Sequence, residues 1–217
     1  LTVNEIRSQI EQYKREGKKI FTSSSFQTHS IPLLHILSQI DRTIPVYFLN
    51  TGYHFPETII FRDEVVESLQ LNLVDLKPDT PKIMQLDAQG KLLFTSDPDH
   101  CCYLNKTQPL EQVLLHHDVW INGIRAEQSS FRSSLKKEEL AKHGVVRFHP
   151  LLGWSSKDIY EYRKKHKLPE HPLESKGYFS IGCEPCTRKL DLDMQAREAR
   201  WYGMNKTECG INTDLVK

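Results

Sequence analysis

The stretch IFTSSSFQTHSIPLLHILSQI, residues 20–40, decides the fold. Ile20, Phe21 and Thr22 read as a buried strand, and a polar run of small hydroxyl residues, Ser23 to Ser30, follows it. Ile31, Leu33, Leu34, Ile36, Leu37 and Ile40 then recur at helical spacing and make a strongly apolar helix. Pro32 fits because the first helical turn needs no N–H from it. The unit is therefore strand, polar turn, helix. Upstream, Ile6, Ile10 and Tyr13 share one face of a short helix. Downstream, residues 46–49 form a second strand, the turn-like Asn50-Thr51-Gly52-Tyr53 follows, and a helix runs over about 56–69. Residues 71–76 read as a third strand. A less regular segment leads to Cys102, and a helix spans about 108–115. Residues 119–121 and 145–148 are further strands, and Ser155 caps another helix. Apolar strands alternating with helices predict an α/β, Rossmann-like parallel sheet covered by helices on both faces. Ligands in such folds sit at the carboxyl ends of strands, so residues 23–30, 50–53 and 123–132 are expected on one rim. From about residue 173 the pattern is irregular and is expected to fold over that rim.

The chain has 217 residues, 38% hydrophobic and 26% charged, enough for one unit with a buried core. Lys and Arg number 29 against 28 Asp and Glu, a net charge of +1, which argues against bulk binding to nucleic acid or an anionic membrane. Apolar stretches such as residues 44–49 are too short to span a bilayer. Residues 1–19 are charged throughout and lack the apolar segment of a signal peptide. No repeat or low-complexity linker interrupts the chain, so residues 1–217 are read as a single domain, with about 191–217 a mobile tail.

The five cysteines are unevenly placed: Cys101 beside Cys102, Cys183 and Cys186 as C-x-x-C, and Cys209 alone. An odd number at this length argues against a secreted disulfide scaffold and for a reducing, cytoplasmic compartment. The first four suggest a metal site. Zinc favours two C-x-x-C-like knuckles converging on one ion, whereas adjacent cysteines diverge. A cluster offers separate irons to neighbouring thiolates, which favours [4Fe–4S]. A zinc knuckle, a redox dithiol and simple buried thiols remain open readings. The serine run before a helix can cradle an oxyanion with its free N–H groups and hydroxyls, or serve as a turn and cap. Neither the P-loop nor the dinucleotide fingerprint is present. Cys209 is a candidate nucleophile, since nearby cations favour the reactive thiolate. Lys206, Arg197 and Arg200 are close in sequence, and the last two would share a helix face and clamp an anion.

These segments together resemble the assimilatory sulfonucleotide reductases, specifically the iron–sulfur-containing adenylylsulfate reductases. The resemblance rests on Ser23-Ser24-Ser25-Phe26, on Asn50-Thr51-Gly52 with His54 to Thr58, and on Cys101-Cys102 with Lys106, Pro109 and Leu110. It continues through Gly123-x-Arg125-x-x-Gln128-Ser129, the run Gly177 to Arg188 around Cys-Glu-Pro-Cys, Arg197 to Trp201, and Glu208-Cys209-Gly210. It implies an adenine-nucleotide α-hydrolase-like fold and a [4Fe–4S] cluster on Cys101, Cys102, Cys183 and Cys186. It further implies that Cys209 attacks the sulfate of adenylylsulfate, or of its 3′-phosphorylated form, and expels AMP. The resulting S-sulfocysteine would be cleaved by thioredoxin or a glutaredoxin-like dithiol to give sulfite, a step of sulfate assimilation. By the family pattern Lys106, Arg132, Arg197 and Arg200 supply positive charge. Ser23, Ser24 and Ser25 hold anionic oxygens, Phe26 lies against the base, Gly52 allows close backbone approach, and Gly123 and Arg125 belong to the same rim. A homo-oligomer is compatible with this pattern.

Two departures stand out. Asn212 occupies the place where the family pattern has His, and the Ser-Ser-Ser-Phe-Gln loop looks like that of the 3′-phosphoadenylylsulfate reductases. Dual specificity is therefore an alternative. An iron–sulfur tRNA-thiolating enzyme of related fold would carry an Asp in its nucleotide loop and an RNA-binding basic patch, whereas this chain has neither an Asp in its serine loop nor a net basic balance. A zinc-stabilised nucleotide-binding module is the non-catalytic alternative.

Overall fold

The computed structural model describes residues 1–191, 199–204, 206 and 208–216. Its strands are β1 (Ile20–Ser23), β2 (Pro45–Leu49), β3 (Asn72–Leu76), β4 (Val119–Ile121), β5 (Glu138–Leu140) and β6 (Val146–Phe148). Its α-helices are α1 (Val3–Arg15), α2 (Ile31–Ile40), α3 (Pro56–Leu69), α4 (Leu93–Ser96), α5 (Pro98–Cys102), α6 (Gln108–Leu114), α7 (Ser130–Ser133), α8 (Ser156–His166) and α9 (Gly210–Thr213). The sheet order is β3-β2-β1-β4-β6-β5. All pairings are parallel except β5 on β6, which is antiparallel. β5 was not expected from the sequence, because Glu-Glu-Leu carries no apolar run; it is an edge strand defined only by its partner.

Alternation along the strands sorts the core into two faces. Ile20, Val119, Ile121 and Phe148 pack with Ile6, Ile10 and Tyr13 of α1, Leu33, Ile36 and Leu37 of α2, and Ile159 of α8. The intervening Phe21 and Trp120 turn the other way, to Leu110, Val113 and Leu114 of α6 and to Leu215. Each such fully buried large side chain contributes about 1.5–3 kcal/mol. The α1 start is held by a capping box between Thr2 and Glu5, and α8 by Ser155 with Asp158.

Strand order runs outward in opposite directions from β1 and β4, so a crevice opens beyond their carboxyl ends. The irregular segment does cover it. Glu184 N–H donates to Tyr53 O at 2.7 Å, and Ile181 N–H donates to Gln27 Oε1 at 2.9 Å. Near the last described residues, Leu215 is buried and its carbonyl accepts from Lys142 N–H at 2.9 Å. Among the described residues no helix is long and apolar enough to cross a membrane.

Candidate active site

A cavity of about 610 Å³ fills the crevice, within the range of small-molecule sites. Its wall includes Ser23, Ser24 and Ser25 from the loop after β1, Gly123 and Arg125 after β4, and Arg132 from α7. Lys106, Arg200, Cys183 and Cys209 complete one end. Residues from opposite ends of the chain thus meet because the β1 and β4 ends are adjacent.

The serine loop is built by side chains bonding neighbouring polar groups. Trp120 Nε1–H donates to Ser23 Oγ at 2.8 Å, Phe26 N–H to Ser24 Oγ at 3.1 Å, and Gln27 Nε2–H to Ser25 Oγ at 3.1 Å. Phe26 corrects the sequence reading. Its backbone is left-handed, with φ of 53°, and its ring is fully buried beside Phe48, Val46 and Leu34. Burial in that cluster keeps the ring out of the cavity wall. Gly52 also stands apart. It sets a turn with φ of 72°, a conformation glycine adopts without a Cβ penalty, and its carbonyl accepts from Lys82 Nζ at 3.3 Å.

The cations divide into two groups. Arg125 pairs with Glu127, and Arg132 is forked onto Glu208, Nε to Oε2 and Nη2 to Oε1, both at 2.9 Å. Among the described residues no ion pair with a carboxylate engages Lys106 or Arg200. Arg200 is buried, its Nε has no hydrogen-bond partner among the described residues, and its guanidinium lies 4.5 Å from the Trp201 ring centre. The helix face foreseen for Arg197 and Arg200 is not present at Arg200, which forms an isolated bridge with Thr187; Arg197 lies outside the described residues. Lys206 points elsewhere, to Asp99.

Lys106 sits on a π-helical stretch, Tyr103–Thr107, between α5 and α6. Such wide turns recur at functional sites because they re-aim side chains. Burial by itself favours a neutral amine, but the neighbouring cysteines Cys183, Cys209 and Cys102 outweigh it and hold this ammonium above its ordinary value. Cys209, the residue before α9, is 9% exposed. Neighbouring Cys102, Lys106 and the Ile211 N–H favour the thiolate, against the opposing effect of burial. The net effect places Cys209 well below the usual cysteine value.

Cys101, Cys102, Cys183 and Cys186 border one internal cavity with Lys106, Thr51 and Asn105. All five cysteines are free thiols. Asn105 Nδ2–H points at Cys101 Sγ at 3.6 Å, and Thr51 Oγ1 lies 3.3 Å from Cys183 Sγ. Burial and the neighbouring Cys183 and Cys186 push Cys101 up to about 11. Among the described residues no three Cys, His, Asp or Glu side chains are grouped to hold a metal ion. The four cysteines nevertheless border one shared space, with a polar side chain beside two of them.

The sequence reading assigned no role to Trp120, Asn122, Arg163 or Glu208, which all line the main cavity. Arg163 reads in the sequence as ordinary basic compensation at a helix end. Glu208 is visible beside Cys209, but its partner Arg132 lies 76 residues away, beyond the reach of any local pattern.

A family model described as "Phosphoadenosine phosphosulfate reductase domain" matches residues 19–189. The chain is 38% identical over 209 residues to the adenosine 5′-phosphosulfate reductase of Mesorhizobium japonicum, covering 94% of this chain and 82% of that one. It is 36% identical over 204 residues to the adenosine 5′-phosphosulfate reductase of Bacillus velezensis, covering 92% and 87%. Among solved structures it is similar to the phosphate complex of phosphoadenylyl-sulfate reductase from Candida auris, with TM-score 0.67 and 20% identity over 84% of this chain and 94% of that one. That last likeness concerns the fold alone.

Proposed function

The chain belongs to the phosphoadenosine phosphosulfate reductase domain family, and from that premise we propose that it reduces adenosine 5′-phosphosulfate to sulfite and AMP with Cys209 as the nucleophile. The observation that carries the reading is the placement of the Cys209 thiol in the wall of the cavity shared by the serine loop, Lys106 and Arg200. The difficulty of the reaction is electrostatic: an anionic thiolate must approach an anionic sulfate while a second anion leaves. Preorganised cations reduce that repulsion, and the bound geometry converts an encounter into an internal step. Lys106 and Arg200 are the groups placed to do so.

The nucleotide lies along Ser23, Ser24 and Ser25, with Gly123 and Arg125 beyond it and its sulfate toward Lys106. The Cys209 Sγ attacks the sulfate sulfur, the S–O bond to the phosphate breaks, and AMP leaves with the electron pair. A dithiol reductant of the thioredoxin or glutaredoxin class then attacks the Cys209 sulfur, and sulfite leaves with the S–S bonding pair. The second thiol of the reductant closes a disulfide and returns the Cys209 thiolate. The dithiol loses two electrons and the sulfate sulfur gains them. Since Cys209 is buried, this second stage needs the segment around it to open. The overall reaction is a two-electron reductive step of sulfate assimilation.

Cys101, Cys102, Cys183 and Cys186 would hold a [4Fe–4S] cluster. When bound, such a group supplies a compact anionic iron–sulfur centre next to Lys106. Equal iron and sulfide without zinc, in protein purified without air, is the result this part of the proposal requires.

The cations also bear on the choice of nucleotide. Arg125 is engaged by Glu127, and Arg163 by Glu170 at 2.9 Å, which leaves these two less able to bind an additional phosphate. Measured with a dithiol reductant, kcat/KM for adenosine 5′-phosphosulfate is expected to exceed that for the 3′-phosphorylated nucleotide by at least about tenfold, one charge-assisted contact's worth. The opposite preference would overturn the assignment.

Gly182 supplies another test. A Cβ built there would overlap the Arg200 guanidinium. That group is the free end of a long side chain and can move aside, so Gly182→Ala should leave the fold intact. It should nevertheless displace Arg200 from the anion. The expected result is a KM raised about tenfold with little change in melting temperature; an unchanged KM would remove Arg200 from the site.

A further inference from the structure

We propose that Arg132 and Asn212 are positioning residues for Cys209, acting through the carboxylate of Glu208. The inference deepens the reading of Cys209 as nucleophile and rests on it. By the family pattern Arg132 supplies charge to the substrate, yet here its fork is committed. Both contacts to Glu208 are 2.9 Å, and the two side chains are only 10% and 9% exposed. A buried, bidentate pair of this kind is specific in direction as well as strong.

The carboxylate passes that direction on. Glu208 Oε1 also accepts from the Cys209 N–H at 3.0 Å and from Asn212 Nδ2–H at 2.9 Å. Asn212 Oδ1 in turn accepts from Arg147 Nη2–H. Arg147 is fully buried, with its guanidinium 4.6 Å from the centre of the Trp120 ring, and Trp120 donates to Ser23. The nucleophile's segment is thus tied at one side to α7 and at the other to the central strands that carry the serine loop.

The chemistry of each member fits this role. An amide offers an acceptor and a donor at once, so Asn212 can satisfy Arg147 and Glu208 together. A doubly protonated imidazole in its place would present only donors and could not accept from Arg147. The Arg132 fork holds the Glu208 carboxylate in one orientation. Removing either Arg132 or the Glu208 charge therefore loosens Cys209 in the same way.

The test uses the full-length chain with Arg132→Met, Arg132→Lys, Glu208→Gln, Asn212→Ala and the double Arg132→Met/Glu208→Gln. Three quantities are read: kcat and KM for adenosine 5′-phosphosulfate, AMP affinity, and amide hydrogen exchange at Cys209 and Gly210. Arg132→Met and Glu208→Gln are expected to lower kcat by about 10²-fold, the scale of a small misplacement of a reacting group. KM and AMP affinity should stay within about threefold. Arg132→Lys keeps the charge without the fork and should recover only part of kcat. The double variant should lose no more than the worse single one, because the pair acts as a unit. Exchange should accelerate in every variant, Asn212→Ala included, which leaves both members of the ion pair in place and guards against a folding failure at Arg132.

If Arg132→Met instead weakens AMP binding and raises KM while exchange stays at the wild-type rate, Arg132 is a substrate ligand and the proposal is overturned. Multiplicative losses in the double variant would also overturn it. The exchange measurement needs no substrate. Wild-type protein inactive toward adenosine 5′-phosphosulfate, but with faster exchange in the variants, would sink the functional reading while leaving the coupling of these side chains in place.

Discussion

Cys209→Ser lowers sulfite release from adenosine 5′-phosphosulfate by at least about 10⁴-fold, because a hydroxyl cannot replace a thiolate as the attacking group at near-neutral pH. The substitution removes little else. The side chain is buried in the wall of the cavity, and oxygen is smaller than sulfur, so no clash arises. AMP binding should therefore stay within about threefold of wild type, since the serine loop and Arg200 are untouched. The four remaining cysteines keep their common cavity. A variant that retained wild-type turnover would transfer the nucleophile's role to another group. AMP binding, measured alongside turnover, separates a lost nucleophile from a lost fold.

Lys106→Met is expected to have the second largest effect, a fall in kcat/KM of about 10²–10³-fold, the range for removing one preorganised charge from a developing anion. Methionine preserves much of the stem's bulk, so the loss reports charge. Lys106 lines both the main cavity with Cys209 and the cavity of the four cysteines. Lys106→Arg should not restore the rate. A planar guanidinium on the same π-helical stretch is larger and directs its donors differently from a compact ammonium. A variant with wild-type kcat/KM would mean that Arg200 alone carries the charge compensation.

The sheet was legible where burial writes itself into the chain. Ile20 to Thr22 and residues 119–121 pair in register as neighbours, and their alternation sends Phe21 and Trp120 to one face together. The rim followed from that topology, since parallel strands bring their carboxyl ends to one side. β5 was not legible, because a charged three-residue strand acquires its conformation from β6. Asp97 and Pro98 do open a helix, with Asp97 accepting from the His100 N–H, but one turn before two cysteines is too short to impose a period on the sequence.

Side-chain placement was legible in part. Cys101, Cys102, Cys183 and Cys186 border one cavity and Cys209 the other, and Cys183 borders both, a sharing that sequence spacing does not encode. Phe26 misled, because an aromatic residue within a polar loop looks available for stacking. Its left-handed backbone instead turns the ring into the core. Arg132 lines the main cavity, but its pairing with Glu208 joins residues 76 apart and is written in no local pattern. The Arg200 region is a bridge to Thr187, a pairing that three-residue spacing does not encode.

The most direct measurement is a single exposure of the reduced, air-free protein to adenosine 5′-phosphosulfate with no reductant present, followed by intact mass and peptide mapping. Attack by Cys209 requires one sulfonate per chain, attached to that residue, with an equal amount of AMP released. Sulfite formation under turnover conditions without any such adduct, or an adduct carried by Cys101, Cys102, Cys183 or Cys186, would contradict it.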